Sequence, residues 1–112
     1  MKLLPYEVWE DVPGYEGYYQ VSSMGNIRSF HRGGRILKPH VSRNGYQFVF
    51  LSNDTSKTYW FVHRIVAITF IPNPHNYPII NHKDENKLNC SVSNLEWCTY
   101  TYNLTYGSRS KH

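Results

Sequence analysis

No apolar run in this chain of 112 residues approaches the ~20 positions needed to cross a bilayer. Nor does the opening, Met1-Lys2-Leu3-Leu4-Pro5-Tyr6-Glu7, hold an apolar stretch long enough for a secretory signal. Neither a membrane partner nor export is expected, and the cytoplasm is the expected location. Cysteine is scarce: Cys90 and Cys98 are the two present, with no CxxC pair. That excludes a thiolate zinc site and a disulfide scaffold, and both are read as reduced thiols. There is no internal repeat, no heptad pattern and no low-complexity segment. Acidic residues vanish altogether between Glu16 and Asp54.

Inside that acid-free stretch lie Arg28, His31, Arg32, Arg35, Lys38, His40 and Arg43. The first sixteen residues carry the opposite sign, with Glu7, Glu10, Asp11 and Glu16 against Lys2. A basic block of this kind is an electrostatic footprint for a polyanion, with an ordinary solvated basic face as the alternative. Aromatic residues make up 16% of the chain, ten of them tyrosines. Tyrosine joins apolar area to a hydroxyl, so it suits thin cores and polar binding surfaces alike. With 40% hydrophobic and 18% charged residues, the chain reads as a folded domain or two small modules sharing a core.

Short strands punctuated by turn residues dominate the first half. Tyr6–Asp11, Tyr18–Ser22, Ile27–Phe30 and Ile36–Pro39 are the first candidates, with Val12-Pro13-Gly14, Met24-Gly25-Asn26 and the hairpin signal Gly33-Gly34 between them. Asn44-Gly45 then feeds Tyr46–Leu51, and Asn53-Asp54 returns the chain along Lys57–Phe61. These make a small antiparallel β meander. Val62–Phe70 places apolar residues at 62, 65, 66 and 70, one helical face, and Pro72 and Pro74 end it. Pro78–His82 is a strand, Lys83–Asn89 a polar turn region, and Leu95–Cys98 a second strand. Thr99 caps a helix through about Tyr106 that Gly107 ends, before a short basic tail. The fold class is α+β.

The last third carries the chemistry. A histidine, His82, ends an apolar strand beside an amide, Asn81, and another amide, Asn103, lies about one turn into the final helix. Hydrolysis of a phosphodiester needs a base for water and a cation against the charge that builds on the phosphorane and the leaving oxygen. Imidazole titrates near ~6.5, and amide oxygens suit hard cations that keep several waters. His82 is expected to reach solvent at the strand end. Asn81 and His82 share a site only if the backbone turns there, because strand neighbours point to opposite faces.

The segments Val62-His63-Arg64-Ile65-Val66-Ala67, Ile80-Asn81-His82-Lys83-Asp84-Glu85-Asn86-Lys87 and Asn94-Leu95-Glu96-Trp97-Cys98-Thr99, with Asn103, resemble the HNH nucleases of the ββα-metal class, most of all those of phages and phage introns. Glu7–Ser22 with Gly25–Ser29 resembles the small module that precedes HNH domains in free-standing homing endonucleases. The resemblance implies an N-terminal β-rich DNA-binding module over 1–60 and an HNH motif over 61–112, forming one compact unit. It implies His82 as general base, Asn94 as the middle motif asparagine that holds the loop against the hairpin, and Asn103 as a metal ligand. Asn81 matches a position where some intron-encoded relatives carry aspartate as the second ligand. Asp84 is assigned to the turn, and Trp97 to the core rather than to a base-stacking platform.

The resemblance thus implies a metal-dependent DNA endonuclease, using one Mg²⁺ or Mn²⁺ per site and double-stranded DNA as partner, acting in the host cytoplasm if phage-encoded. A monomer or weak dimer with one site nicks one strand, leaving 5′-phosphate and 3′-hydroxyl ends. Arg28, Arg32, Arg35, Lys38, Arg43 and Arg64 are the expected DNA contacts, chiefly to phosphates. The competing reading is a DNA-binding module of phage origin without catalysis, supported by the basic block and by the neutral amide at 81. A structural phage protein is the third.

Overall fold

The computed structural model describes residues 6–106. Among them, β1 (Trp9–Asp11), β2 (Tyr19–Ser22), β3 (Ile27–Ser29) and β4 (Arg35–Ile36) form one antiparallel sheet in that order. A second antiparallel sheet consists of β5 (His40–Val41), β6 (Gln47–Ser52) and β7 (Lys57–Phe61). Helix α1 (Val62–Phe70) continues directly from β7. The chain then forms the two-stranded hairpin β8 (Ile79–His82) and β9 (Leu95–Cys98), followed by α2 (Tyr100–Thr105), which packs on β8. Gly107 and the basic tail lie outside the described residues.

The turn pattern predicts one meander over the first half, and two sheets are found. The break falls at Leu37-Lys38-Pro39. Leu37 still pairs through its N–H to the Ile27 carbonyl at 2.8 Å and turns its side chain onto the core. Pro39 then has no N–H to continue a ladder, so pairing restarts on a new partner. The glycines at 33 and 34 do not make a two-residue hairpin. They close a 3₁₀ turn, His31–Gly33, both at positive φ, and β4 pairs back on β3 beyond it.

Alternation explains the rest of the sheets. Val49 and Leu51 of β6 are buried, while Phe48 and Phe50 face outward. Helix α1 buries Val62, Ile65, Val66 and Ala67, with Phe70 half-buried against the same core. That helix touches β2, β6, β7, β8 and β9, so it is the post on which both sheets and the hairpin are hung. One continuous cluster runs from Val12, Val21 and Ile27 through Leu51 and Ile65 to Ile80 and Leu95. Each fully buried aliphatic side chain contributes roughly 1.5–3 kcal/mol to holding these parts together.

Two polar ties fix the hairpin. The Trp97 indole N–H donates to the Ile71 carbonyl at 3.0 Å, which places Trp97 in the wall of the core. Gly25 sits at φ +87°, where a Cβ would lie 3.0 Å from Cys90, and Val92 N–H donates to the Ser23 carbonyl at 2.9 Å. The β2–β3 turn therefore lies directly against the loop between β8 and β9, and only glycine permits that approach.

Candidate active site

The register of the hairpin decides where each side chain goes. Ile80 pairs with Trp97, Asn81 with Glu96 and His82 with Leu95. Ile80 enters the core under α1, and His82, two residues on, meets rings from the same side of the molecule. Its imidazole centroid lies 5.0 Å from that of His63 on α1 and 5.9 Å from the Tyr46 ring. Asn81 leaves the strand toward different neighbours. Its Nδ2 donates to Glu96 Oε2 at 2.8 Å.

The strand pattern puts His82 at the solvent, yet it is 4% exposed. The reason is tertiary. The Asn44-Gly45 turn carries Tyr46 over the end of β8, and Lys87 holds it there, with its ammonium 4.8 Å from the Tyr46 ring and donating to the Asn44 carbonyl at 2.8 Å. Tyr46 and His63 are thus members of the site that sequence reasoning missed. His63 stands beside Arg64 in the resemblance to the nuclease motif, but nothing local separates a histidine that packs elsewhere from one that lies against His82.

Burial pushes the His63 imidazole down to about 4, helped by its neighbours His82 and Arg64. It is neutral at pH 7, so it puts no positive charge beside His82. An unfolded histidine titrates near ~6.5, so between that pH and about 4 the unfolded chain holds a proton the folded chain refuses. Stability contributed by this group is complete above the unfolded value and lost as pH falls toward the folded one. Unfolding in urea should show a loss of about 2 kcal/mol between pH 7.5 and pH 5 from this residue. The variant H63F should lose most of that slope; identical slopes in the two proteins would clear His63 of responsibility.

The turn after His82 is built from side chains bonding backbone. Asp84 Oδ1 accepts from Asn86 N–H at 2.8 Å and from Asn94 Nδ2 at 2.9 Å, and Oδ2 accepts from Asn89 Nδ2 at 2.9 Å. The Asn89 amide foremost, then the Asn86 backbone, hold its carboxyl below the ordinary value, with Asn94 adding to them. Asn94, 7% exposed, also accepts from Asp84 N–H at 3.0 Å and donates to the Asn89 carbonyl at 2.9 Å. Its backbone carbonyl takes Lys83 N–H at 2.7 Å. Glu85 completes the reversal at φ 61°.

Thr99 caps α2, its hydroxyl accepting from Tyr102 N–H at 3.1 Å. Two hydroxyls then tether the helix to the hairpin. Tyr102 donates to Glu96 Oε2 at 3.3 Å, and Tyr106 to the Lys83 carbonyl at 2.7 Å. Asn103, half-buried, lies in sequence between these two tethers. Among the described residues no group of three or more His, Cys, Asp or Glu side chains is arranged to hold a metal ion. The donors at hand are amide oxygens and the Glu96 carboxylate. That set fits a hard cation which keeps its waters and takes substrate oxygens, and does not fit a thiolate metal. Cys90 and Cys98 are buried, and burial raises the Cys90 thiol to about 11, so it is inert.

The structure divides the basic block. Arg35 and Lys38 line a cavity of about 560 Å³ between the two sheets, joined there by His31, His40 and Lys57. Arg28 lies elsewhere, its guanidinium 4.2 Å from the Trp9 ring centroid and donating to Gln20 Oε1 at 2.6 and 3.0 Å. Arg43 is exposed on the β5–β6 hairpin, and Arg64 is half-buried at the start of α1. The Arg32 side chain lies outside what is described.

Two family models match successive parts of the chain. Residues 7–52 match the NUMOD4 motif and residues 61–105 match the HNH endonuclease family. DNA endonuclease I-HmuI of Bacillus phage SP01 is 38% identical over 96 residues, covering 86% of this chain and 55% of that protein. The HNH endonuclease L245 of Acanthamoeba polyphaga mimivirus is 38% identical over 93 residues, covering 83% of this chain and 28% of that one. The H-N-H endonuclease F-TflII of Escherichia phage T5 is 32% identical, over 85% of this chain and 48% of its own. A solved structure described as DNA binding and cleavage by the HNH homing endonuclease I-HmuI superposes with a TM-score of 0.82 at 35% identity, over 93% of this chain and 59% of the other. The chain thus spans about half the length, or less, of these relatives.

Proposed function

The chain belongs to the HNH endonuclease family, with a NUMOD4 motif ahead of the nuclease motif, and from that we propose that it hydrolyses phosphodiester bonds of double-stranded DNA with a divalent ion, nicking one strand. The observation that supports this most strongly is the hairpin-and-helix unit in which His82 ends β8 while α2, carrying Asn103, is tethered to the same strand end. In this reading the His82 imidazole takes a proton from the attacking water. The amide oxygens of Asn81 and Asn103 would hold Mg²⁺ or Mn²⁺, one ion per site, on a different side of β8 from the imidazole, since the ladder runs regularly through 81 and 82 and neighbouring strand residues face opposite ways. Such an ion supplies charge to offset the phosphorane and the leaving oxygen. Asn94 keeps the Lys83–Asn94 turn closed so that His82 holds its place at the strand end. Arg35, Lys38 and Lys57 around the inter-sheet cavity, with Arg43 and Arg64, give the duplex phosphates their counter-charge.

One observation favours the second reading, a DNA-binding module without catalysis: His82 is buried beneath Tyr46. Supercoiled plasmid incubated with the protein and Mg²⁺ or Mn²⁺ separates the two. An open-circular product that a chelator prevents is the expected result. Retarded plasmid with no open-circular band under any metal would give the case to the binder.

A further inference from the structure

Asn81 gives the site a neutral donor, and Asn103 is neutral too, so the donor amides bring no charge of their own to a divalent ion. Asp84 does not make up the deficit, because both its oxygens are engaged inside the turn by Asn86, Asn89 and Asn94. Glu96 is a carboxylate bonded to a donor residue, Asn81. Cross-strand register sets it opposite Asn81, which is 1% exposed, and its Oε2 accepts from the amide nitrogen at 2.8 Å. The same oxygen accepts from Tyr102, the residue before Asn103, at 3.3 Å. One carboxylate therefore joins β8, β9 and α2, and two of these carry the amide donors. Glu96 also borders an open cleft of about 390 Å³ between β9 and the Ile71–Tyr77 segment, so it is not sealed in the core.

We propose that Glu96 is the charge-bearing positioning residue of the metal site. The proposal rests on reading that site as one for a divalent ion. Nδ2 and Oδ1 diverge from the same carbon, so an Asn81 nitrogen anchored on Glu96 fixes the direction of the amide oxygen. An amide N–H that donates to an ionised acceptor pushes electron density onto its own oxygen, so Oδ1 becomes the better ligand. The pair Asn81–Glu96 then does jointly what an aspartate at 81 would do alone. Asn81 offers the oxygen and Glu96 the charge.

The variant E96Q isolates the charge, because a glutamine oxygen still accepts from Asn81 and the hydrogen-bonded geometry survives. Mn²⁺ affinity is read by electron paramagnetic resonance on the full chain bound to a short duplex, in an H82A background that does not cut. E96Q should weaken Mn²⁺ about tenfold or more, in the range seen when groups that support a ligand are removed. The swapped pair N81D/E96Q, with the charge moved onto the donor, should restore it. Unchanged affinity in E96Q overturns the proposal, as does a loss that the swapped pair leaves unrepaired, since that marks Glu96 as a structural bond only. Absence of any Mn²⁺ binding by the parent overturns it too. The nuclease reading fails separately, through plasmid that wild-type protein leaves intact under every metal. If the wild type nicks and E96Q binds Mn²⁺ as tightly as its parent, the nuclease stands and Glu96 does not.

Discussion

Alanine at position 82 is expected to lower metal-dependent nicking by about 10²–10⁴-fold, the span attributable to a positioned general base. Duplex affinity should barely move, because the cations proposed to meet phosphate sit on other elements, around the inter-sheet cavity and on the β5–β6 hairpin. The comparison is open-circular product per minute for wild type and H82A at matched occupancy of the plasmid. The imidazole is packed against Tyr46 and His63, so its removal leaves a gap in a ring cluster, and a control must separate structural loss from chemical loss. The variant H82N keeps a polar side chain of smaller volume and supplies no base at neutral pH. Matching losses in H82A and H82N, with circular dichroism like the wild type, assign the effect to chemistry. A variant that nicks at the wild-type rate removes His82 from the reaction.

The largest effect on stability is expected at Asn94. Its side chain accepts one backbone N–H and donates to a carboxylate and a carbonyl, all within the turn that follows β8. Alanine deletes three bonds and leaves the Asp84 N–H without its acceptor in a half-buried setting. Each such bond contributes about 1 kcal/mol net, and a stranded buried donor costs about 1–3 kcal/mol. A total near ~3 kcal/mol would lower the melting temperature by roughly 10–20 °C in a domain of this size. Aspartate should be worse than alanine: although it retains the acceptor, it sets a second carboxylate against Asp84 Oδ1, 2.9 Å from the present amide nitrogen. Thermal melts of N94A and N94D test both statements. A shift of under about 3 °C in N94A would mean that the turn is held by its other bonds.

Particular residues show how far local pattern carries. Val62–Phe70 is helical because 62, 65 and 66 recur on one face and Pro72 lies just beyond. Leu95–Cys98 and the Thr99 cap are readable for the same kind of reason, a short strand with apolar residues at 95, 97 and 98 followed by a hydroxyl that accepts its own helix's N–H. Periods of two and 3.6 residues, turn residues and caps act between positions a few apart, so they are written in the chain at short range. The two-sheet division is not readable. It depends on Leu37 finding the core and on β5 finding β6 as partner, and alternation alone assigns no partner.

The site divides along the same line. Residue types and order alone provide a histidine and two amides on a strand–turn–strand–helix, with a basic block upstream. The seclusion of His82 comes from Tyr46, thirty-six positions away, and the neutrality of His63 from burial beneath the same lid. The bond between Asn81 and Glu96 is half legible, since pairing the two short strands already sets them opposite one another. Chain order supplies the donors and the spacing that bring them near. Their exposure, protonation and charged neighbours depend on which distant surfaces the apolar core presses together, because desolvation and Coulomb forces act through space and take no account of separation along the backbone.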